Sequence, residues 1–136
     1  TNQFNLTTIR RSEAELARLW DQRYELYRID VKDRFGDYGF TGLLIGRPEQ
    51  FTYVVDTFLL SCRVLGRGVE HAAMRWLASH ARRLGLREVS LPFVATARNQ
   101  PAAVFLQELG ARILPFHISI EDLSVAELRF AAPAPA

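Results

Sequence analysis

Cys62 is the single cysteine of the chain, and it stands directly before Arg63 at the end of a long apolar run. A thiol beside a cation and just ahead of a helix start is in the setting that favours thiolate. A thiolate can take an acyl group as a thioester and pass it on. Equally, a lone cysteine can be a small buried hydrophobe. The residues that follow, Arg63-x-x-Gly66-x-Gly68, join that apolar run to a helical pattern. Two glycines let a backbone come close to a phosphate, and the N–H groups at a helix start favour anions. Arg63 and Arg67 add positive charge there. The block is not a phosphate-binding loop of the Gly-Lys-Ser/Thr kind, since Lys and Ser/Thr do not follow the glycines. A dinucleotide fingerprint would want Gly or Ala where His71 stands.

A nucleophilic thiol wants a base or an orienting group. His71, in the first turns of the following helix, and His117, near the end of the chain, are candidates, His71 with a solvated helix face as its alternative. Asp56-Thr57 is the one polar pair in the apolar run. A buried carboxylate needs a partner, so Asp56 is either catalytic or paired with an arginine. Thr57 beside it is a candidate substrate contact.

The elements that must position these residues follow from periodicity. Asn2 to Arg10 reads as a first strand. Ser12 caps a helix, with Glu15 completing a capping box and Leu16, Leu19 and Trp20 as its buried stripe, ending near Arg23. Leu26 to Val31 and Tyr38 to Ile45 form an antiparallel hairpin about Asp33–Asp37, with Gly39 and Gly42 marking a bulge or a close backbone approach. A turn is expected at Gly46-Arg47-Pro48-Glu49. Phe51 to Ser61 is the central strand, covered on both faces. Val69, Ala72, Ala73, Trp76, Leu77 and Leu84 keep helical spacing up to Gly85. Val89, Leu91 and Phe93 make a strand. A helix opens at Asn99-Gln100-Pro101 and stops at Gly110, and Ile113 to Ile120 is the last strand region. The order is β-α-β-β-β-α-β-α-β, an α/β chain with a mixed sheet.

Composition sets the outer limits. The 136 residues are 49% apolar and 24% charged, and the 17 basic and 15 acidic residues leave a net charge of +2. That supports one globular domain, residues 1–130, with 131–136 as an Ala/Pro tail. No apolar run is long enough to cross a membrane. The basic residues are scattered among acids, which argues against nucleic acid as a partner. A single cysteine excludes a disulfide scaffold, and the polar start Thr1 to Thr8 is not a secretory signal. A cytoplasmic location is expected, and no metal.

Arg63-x-x-Gly66-x-Gly68 after a long strand resembles the coenzyme A pyrophosphate loop of the GNAT-like acetyltransferase fold, and the element order resembles that fold over nearly the whole chain. Asn99-x-x-Ala102-x-x-Phe105 followed by Leu109-Gly110 resembles the family's later helix, whose Asn contacts the cofactor arm. Three separated blocks resemble the FkbH-like family more narrowly: Asn2 to Thr8, Asp33 to Gly39, and Asp56 to Gly68.

The resemblance implies glyceryl loading from 1,3-bisphosphoglycerate onto an acyl carrier protein in polyketide biosynthesis. Cys62 would carry the acyl group as a thioester. Arg63, Gly66, Arg67, Gly68 and Asn99 would hold the phosphopantetheine arm, or coenzyme A. Asn5 and Thr7, on a polar first strand, would meet the acyl hydroxyls, unless that strand is simply a polar edge. The family's haloacid-dehalogenase-type phosphatase domain has no counterpart here, since no Asp-x-Asp-x-Thr occurs. It is expected as a partner in the same or another chain, and this chain reads as a piece of something larger. Leu106 stands where the wider fold often supplies a Tyr acid. Two other readings stay open: a module that only docks the carrier arm, and a direct coenzyme A-dependent N-acyltransferase.

Overall fold

The computed structural model describes residues 12–33, 36–65, 68–93, 99–110 and 116–119. The expected first strand, with Asn5 and Thr7, lies outside them, as do Gly66, Arg67 and the Ala/Pro tail. Helix α1 spans Glu13–Asp21. The strands are β1 (Glu25–Asp33), β2 (Gly36–Glu49), β3 (Thr52–Leu60), β4 (Glu88–Leu91) and β5 (Phe116–Ser119). Helix α2 spans Val69–Arg83 and α3 spans Gln100–Glu108. The result is a mixed α+β domain. Its five-stranded sheet runs in the order β1-β2-β3-β4-β5, antiparallel except for the parallel pair β3/β4. No helix among the described residues is long and apolar enough to cross a membrane.

Local chemistry accounts for most element ends. The Ser12 hydroxyl accepts from the Glu15 amide at 3.2 Å and sits 3.2 Å from the Glu15 carboxylate, so the capping pair is present. Its expected buried stripe is not: no α1 residue is buried, and Trp20 is 64% exposed. Helical spacing puts apolar residues on one side without supplying anything for that side to pack against.

A turn at Gly46–Glu49 was expected, but β2 runs straight through it. The chain reverses instead at Gln50-Phe51, with Gln50 at φ 53 and Glu49 paired with Thr52. Pro48 is tolerated because β1 reaches only as far as Gly46, so its missing N–H faces no described strand on that side.

Gly42 answers the close-approach expectation. It pairs with Leu60, and a Cβ there would sit 2.6 Å from the Leu60 side chain and 2.7 Å from the Leu59 carbonyl. The β2–β3 ladder is therefore tight just before the chain leaves β3.

The core is built from Ile29 and Val31 of β1, Leu44 of β2, Tyr53, Val55, Phe58 and Leu60 of β3, and Met74, Leu77 and Ala81 of α2. Val89 and Leu91 of β4 and Ala102, Phe105 and Leu106 of α3 complete it. Burying this one apolar body is what locks α2 and α3 onto the sheet.

Candidate functional site

Strands β3 and β4 pair over only three residues, Thr52 to Val54 against Glu88 to Ser90. Strand β3 continues to Leu60, while β4 ends at Leu91. The far half of β3 is thus bonded to β2 on one side and, among the described strands, to none on the other. Val55, Thr57, Phe58 and Leu60 along it are buried, so this stretch is covered rather than open to solvent.

At the end of β3 the chain tightens into a 3-10 turn, Cys62–Val64. Ser61 starts that turn, its hydroxyl accepting from the Arg63 amide at 3.3 Å. The Ser61 amide donates to the Thr41 carbonyl at 2.6 Å, pinning the turn to β2. Val64 is fully buried, whereas Cys62 is exposed. The expectation of a thiol available at the end of the central strand fits this placement, and the buried-hydrophobe alternative does not.

Arg63 was expected to face a phosphate at the start of α2. The structure turns it the other way. Its guanidinium donates to the Ser61 hydroxyl at 3.3 Å and to the Phe40 carbonyl at 3.2 Å, so it lies on the β2 side of Cys62.

Gly68 does sit at the α2 start. It has φ 83, in the left-handed region open to glycine, and its carbonyl accepts from the Ala72 amide at 2.9 Å. It lines a cleft of about 450 Å³ with Leu65, Glu70, His71, Pro101, Phe105 and Glu108. The α2 N-terminus and α3 form its walls. Asn99, buried at the α3 start, takes the Ala102 and Ala103 amides on its carbonyl at 3.1 and 3.3 Å.

His71, 7% exposed, is turned toward α3. Its Nε2 is 3.4 Å from the Glu108 carboxylate, and its ring meets Phe105 edge-on at 4.9 Å. A buried imidazole beside a carboxylate can hold or take up a proton. Glu70 in the same first turn, and Glu108 across from it, make this end of the cleft acidic and oppose a highly charged anion there.

Asp56 is half-buried and accepts the Thr57 hydroxyl at 2.7 Å. Extended chain from Asp56 to Leu60 alone puts roughly 13 Å between that carboxylate and the Cys62 turn. Asp56 is therefore not a hydrogen-bonding partner of the thiol. Thr57 is 1% exposed and its hydroxyl is committed to Asp56, so it presents no surface to a substrate, contrary to expectation. Residues 116–119 form β5, so His117 belongs to a strand paired with β4, opposite Ser90.

A second polar group went unread in the sequence. Tyr53 donates to the Glu25 carboxylate at 2.7 Å, His80 Nε2 lies 2.9 Å from the same oxygen, and Tyr27 is 3.3 Å from His80. Trp76 stacks on His80 at 5.1 Å. Burial by itself raises the Glu25 carboxyl, but the Tyr53 and His80 hydrogen bonds and the His80 charge outweigh it and hold it below its ordinary value. Burial, together with the neighbouring Glu25, pushes both tyrosines up. The group joins the start of β1, the start of β3 and the last turns of α2, at the end of the sheet away from Cys62. Its one sequence signal is Glu25 and Tyr27 at strand spacing; the rest is long-range.

Among the described residues no group of three or more His, Cys, Asp or Glu could hold a metal ion. Compared with family models, curated proteins and solved structures, the chain matches none.

Proposed function

We propose that this chain is an acyltransferase domain with a GNAT-like fold, of the FkbH-like type. It takes a glyceryl or related hydroxyacyl group on Cys62 and passes it to the phosphopantetheine thiol of an acyl carrier protein. The observation that carries this reading is the parting of β3 from β4 after three pairs, with the freed strand ending at an exposed thiol. The β3 edge that the described strands leave unpaired would take the amides of a pantetheine arm, extended along the strand with its sulfur toward Cys62.

In the loading step the Cys62 sulfur forms a bond to the acyl carbon. The donor's leaving group, phosphate or thiolate, departs with the electron pair of the broken bond. In the transfer step the carrier thiolate attacks the same carbon, and the Cys62 thiolate is released. A phosphatase domain of the haloacid-dehalogenase type, in this or another chain, would remove the remaining phosphate of the donor.

The position of His71 and Asp56 favours a second reading, in which the domain only docks the carrier arm. Neither residue is held at the thiol: His71 is engaged by Glu108 and Phe105, and Asp56 by Thr57.

Incubation with a small glyceryl thioester, followed by intact-mass measurement, separates the two. A hydroxylamine-labile adduct on wild type and none on Cys62→Ala supports the covalent relay. No adduct on a wild-type thiol that still reacts with a simple alkylating agent refutes it and leaves the docking module.

A further inference from the structure

We propose that Arg63 is a positioning residue: its side chain braces the turn that presents the Cys62 thiol to the acyl group. The proposal rests on the reading above, in which Cys62 takes that group.

The turn does not hold itself firmly. Cys62–Val64 is a single 3-10 turn. Its closing bonds are long, 3.2 Å from the Val64 amide to the Ser61 carbonyl and 3.4 Å from the Leu65 amide to the Cys62 carbonyl. It is anchored at its two ends, by the Ser61 amide on the Thr41 carbonyl at 2.6 Å and by Val64 in the core. Cys62 and Arg63 lie between those anchors, and both are exposed.

Arg63 closes that gap. Its amide and its Nε both donate to the Ser61 hydroxyl at 3.3 Å. Its Nη2 donates to the Phe40 carbonyl at 3.2 Å. Phe40 precedes Thr41 in β2, so the residue before Cys62 and the residue after it are tied to adjacent residues of one strand. That strand is itself held between β1 and β3. A planar guanidinium keeps two acceptors in a fixed relation, which a flexible ammonium does not. The backbone on either side of the thiol is thereby set by β2. These bonds are exposed and individually weak, so losing them should loosen the turn without unfolding the chain. A thiol that must meet an acyl carbon within a narrow geometry registers such loosening in its rate.

The test is single-turnover acylation of Cys62 by the small glyceryl thioester, followed by intact mass over a range of donor concentrations. Arg63→Ala, Arg63→Lys, Ser61→Ala and the double variant Ser61→Ala/Arg63→Ala are compared with wild type and with Arg75→Ala, an exposed charge on α2. Thermal melts establish that each variant is folded. The limiting rate is expected to fall about tenfold in Arg63→Ala, with the half-saturating donor concentration unchanged. Arg63→Lys recovers part of the rate, since an ammonium reaches one acceptor and not both. The double variant is little slower than Arg63→Ala alone, because the two side chains act through one bridge. Arg75→Ala matches wild type. Alkylation of Cys62 by iodoacetamide, which needs no aligned acyl carbon, keeps its wild-type rate throughout. An unchanged limiting rate in Arg63→Ala overturns the proposal. So does a loss seen only as a raised half-saturating concentration, which makes Arg63 a ligand contact. Alkylation that falls in step with acylation also overturns it, because the thiol then needs the charge of Arg63 and not its bonds. If wild type forms no adduct, the relay reading has failed, and hydrogen exchange at the Val64 and Leu65 amides scores the brace by itself: faster exchange in Arg63→Ala supports it, and unchanged exchange overturns it.

Discussion

Replacing Gly42 by Ala tests whether the tight β2–β3 ladder is what sets the Cys62 turn. The new Cβ would lie 2.7 Å from the Leu59 carbonyl oxygen and 2.6 Å from Leu60 Cδ2, with Ile29 Cδ1 at 3.3 Å. Leu60 is fully buried among core side chains, so even its flexible end has little room to swing. The carbonyl is backbone, and it falls about 0.7 Å short of ordinary contact, well inside the repulsive wall. The strand itself must move. Forcing an extra carbon into a packed core costs about 1–3 kcal/mol. For a chain of this length that is a fall in Tm of roughly 4–10 °C. The displacement falls on the segment that carries Ser61, so the Ser61 amide, now 2.6 Å from the Thr41 carbonyl, should exchange its proton faster. Gly36→Ala is the control, since nothing lies within 4 Å of a Cβ there. Thermal unfolding and hydrogen exchange measure both effects. A Gly42→Ala protein that melts with the Gly36→Ala control and protects Ser61 as wild type does would refute the argument.

The polar group at the other end of the sheet yields two further expectations. Tyr53→Phe removes the donor to Glu25 while keeping the fully buried ring, and a hydrogen bond to a carboxylate that is partly open to water predicts a loss of about 1–2 kcal/mol by urea unfolding. Glu25 has its folded-state carboxyl below the ordinary 4.5, so its contribution is complete above that pH and fades as the pH falls through the lower, folded value. Melting temperature measured across this acid range should therefore drop less steeply in Glu25→Gln than in wild type, and parallel curves would count against the assignment.

Much of the local structure was open to reading in the chain. Ser12 with Glu15, the helical spacing from Val69, Gly85 after α2, and Pro101 inside the start of α3 each act through neighbours in sequence, and each element begins or ends where they stand. The reversal at Gln50-Phe51 was misjudged because Pro48 looks like a strand breaker. Only the length of β1 makes it harmless. The burial of α1 was misjudged because periodicity describes a face and not its partner. The same division runs through the site. The place of Cys62 at the end of the central strand follows from local pattern, but its exposure does not, and the direction of Arg63 depends on a carbonyl of β2 in another part of the chain. The partners of His71 and Glu25 likewise come from residues 28 to 55 positions away.

By itself, then, the sequence determined the three described helices and most of the described strand segments, the position of the lone thiol at a strand-to-helix junction, and a glycine at the α2 start that accepts a left-handed backbone. These rest on interactions within a few residues. Tertiary structure decided where β3 and β4 part, which way Arg63 faces, and that Asp56 stands away from the thiol. Those outcomes depend on strand register and on packing between distant segments, and no local pattern encodes the distance between two residues that only the folded sheet brings together.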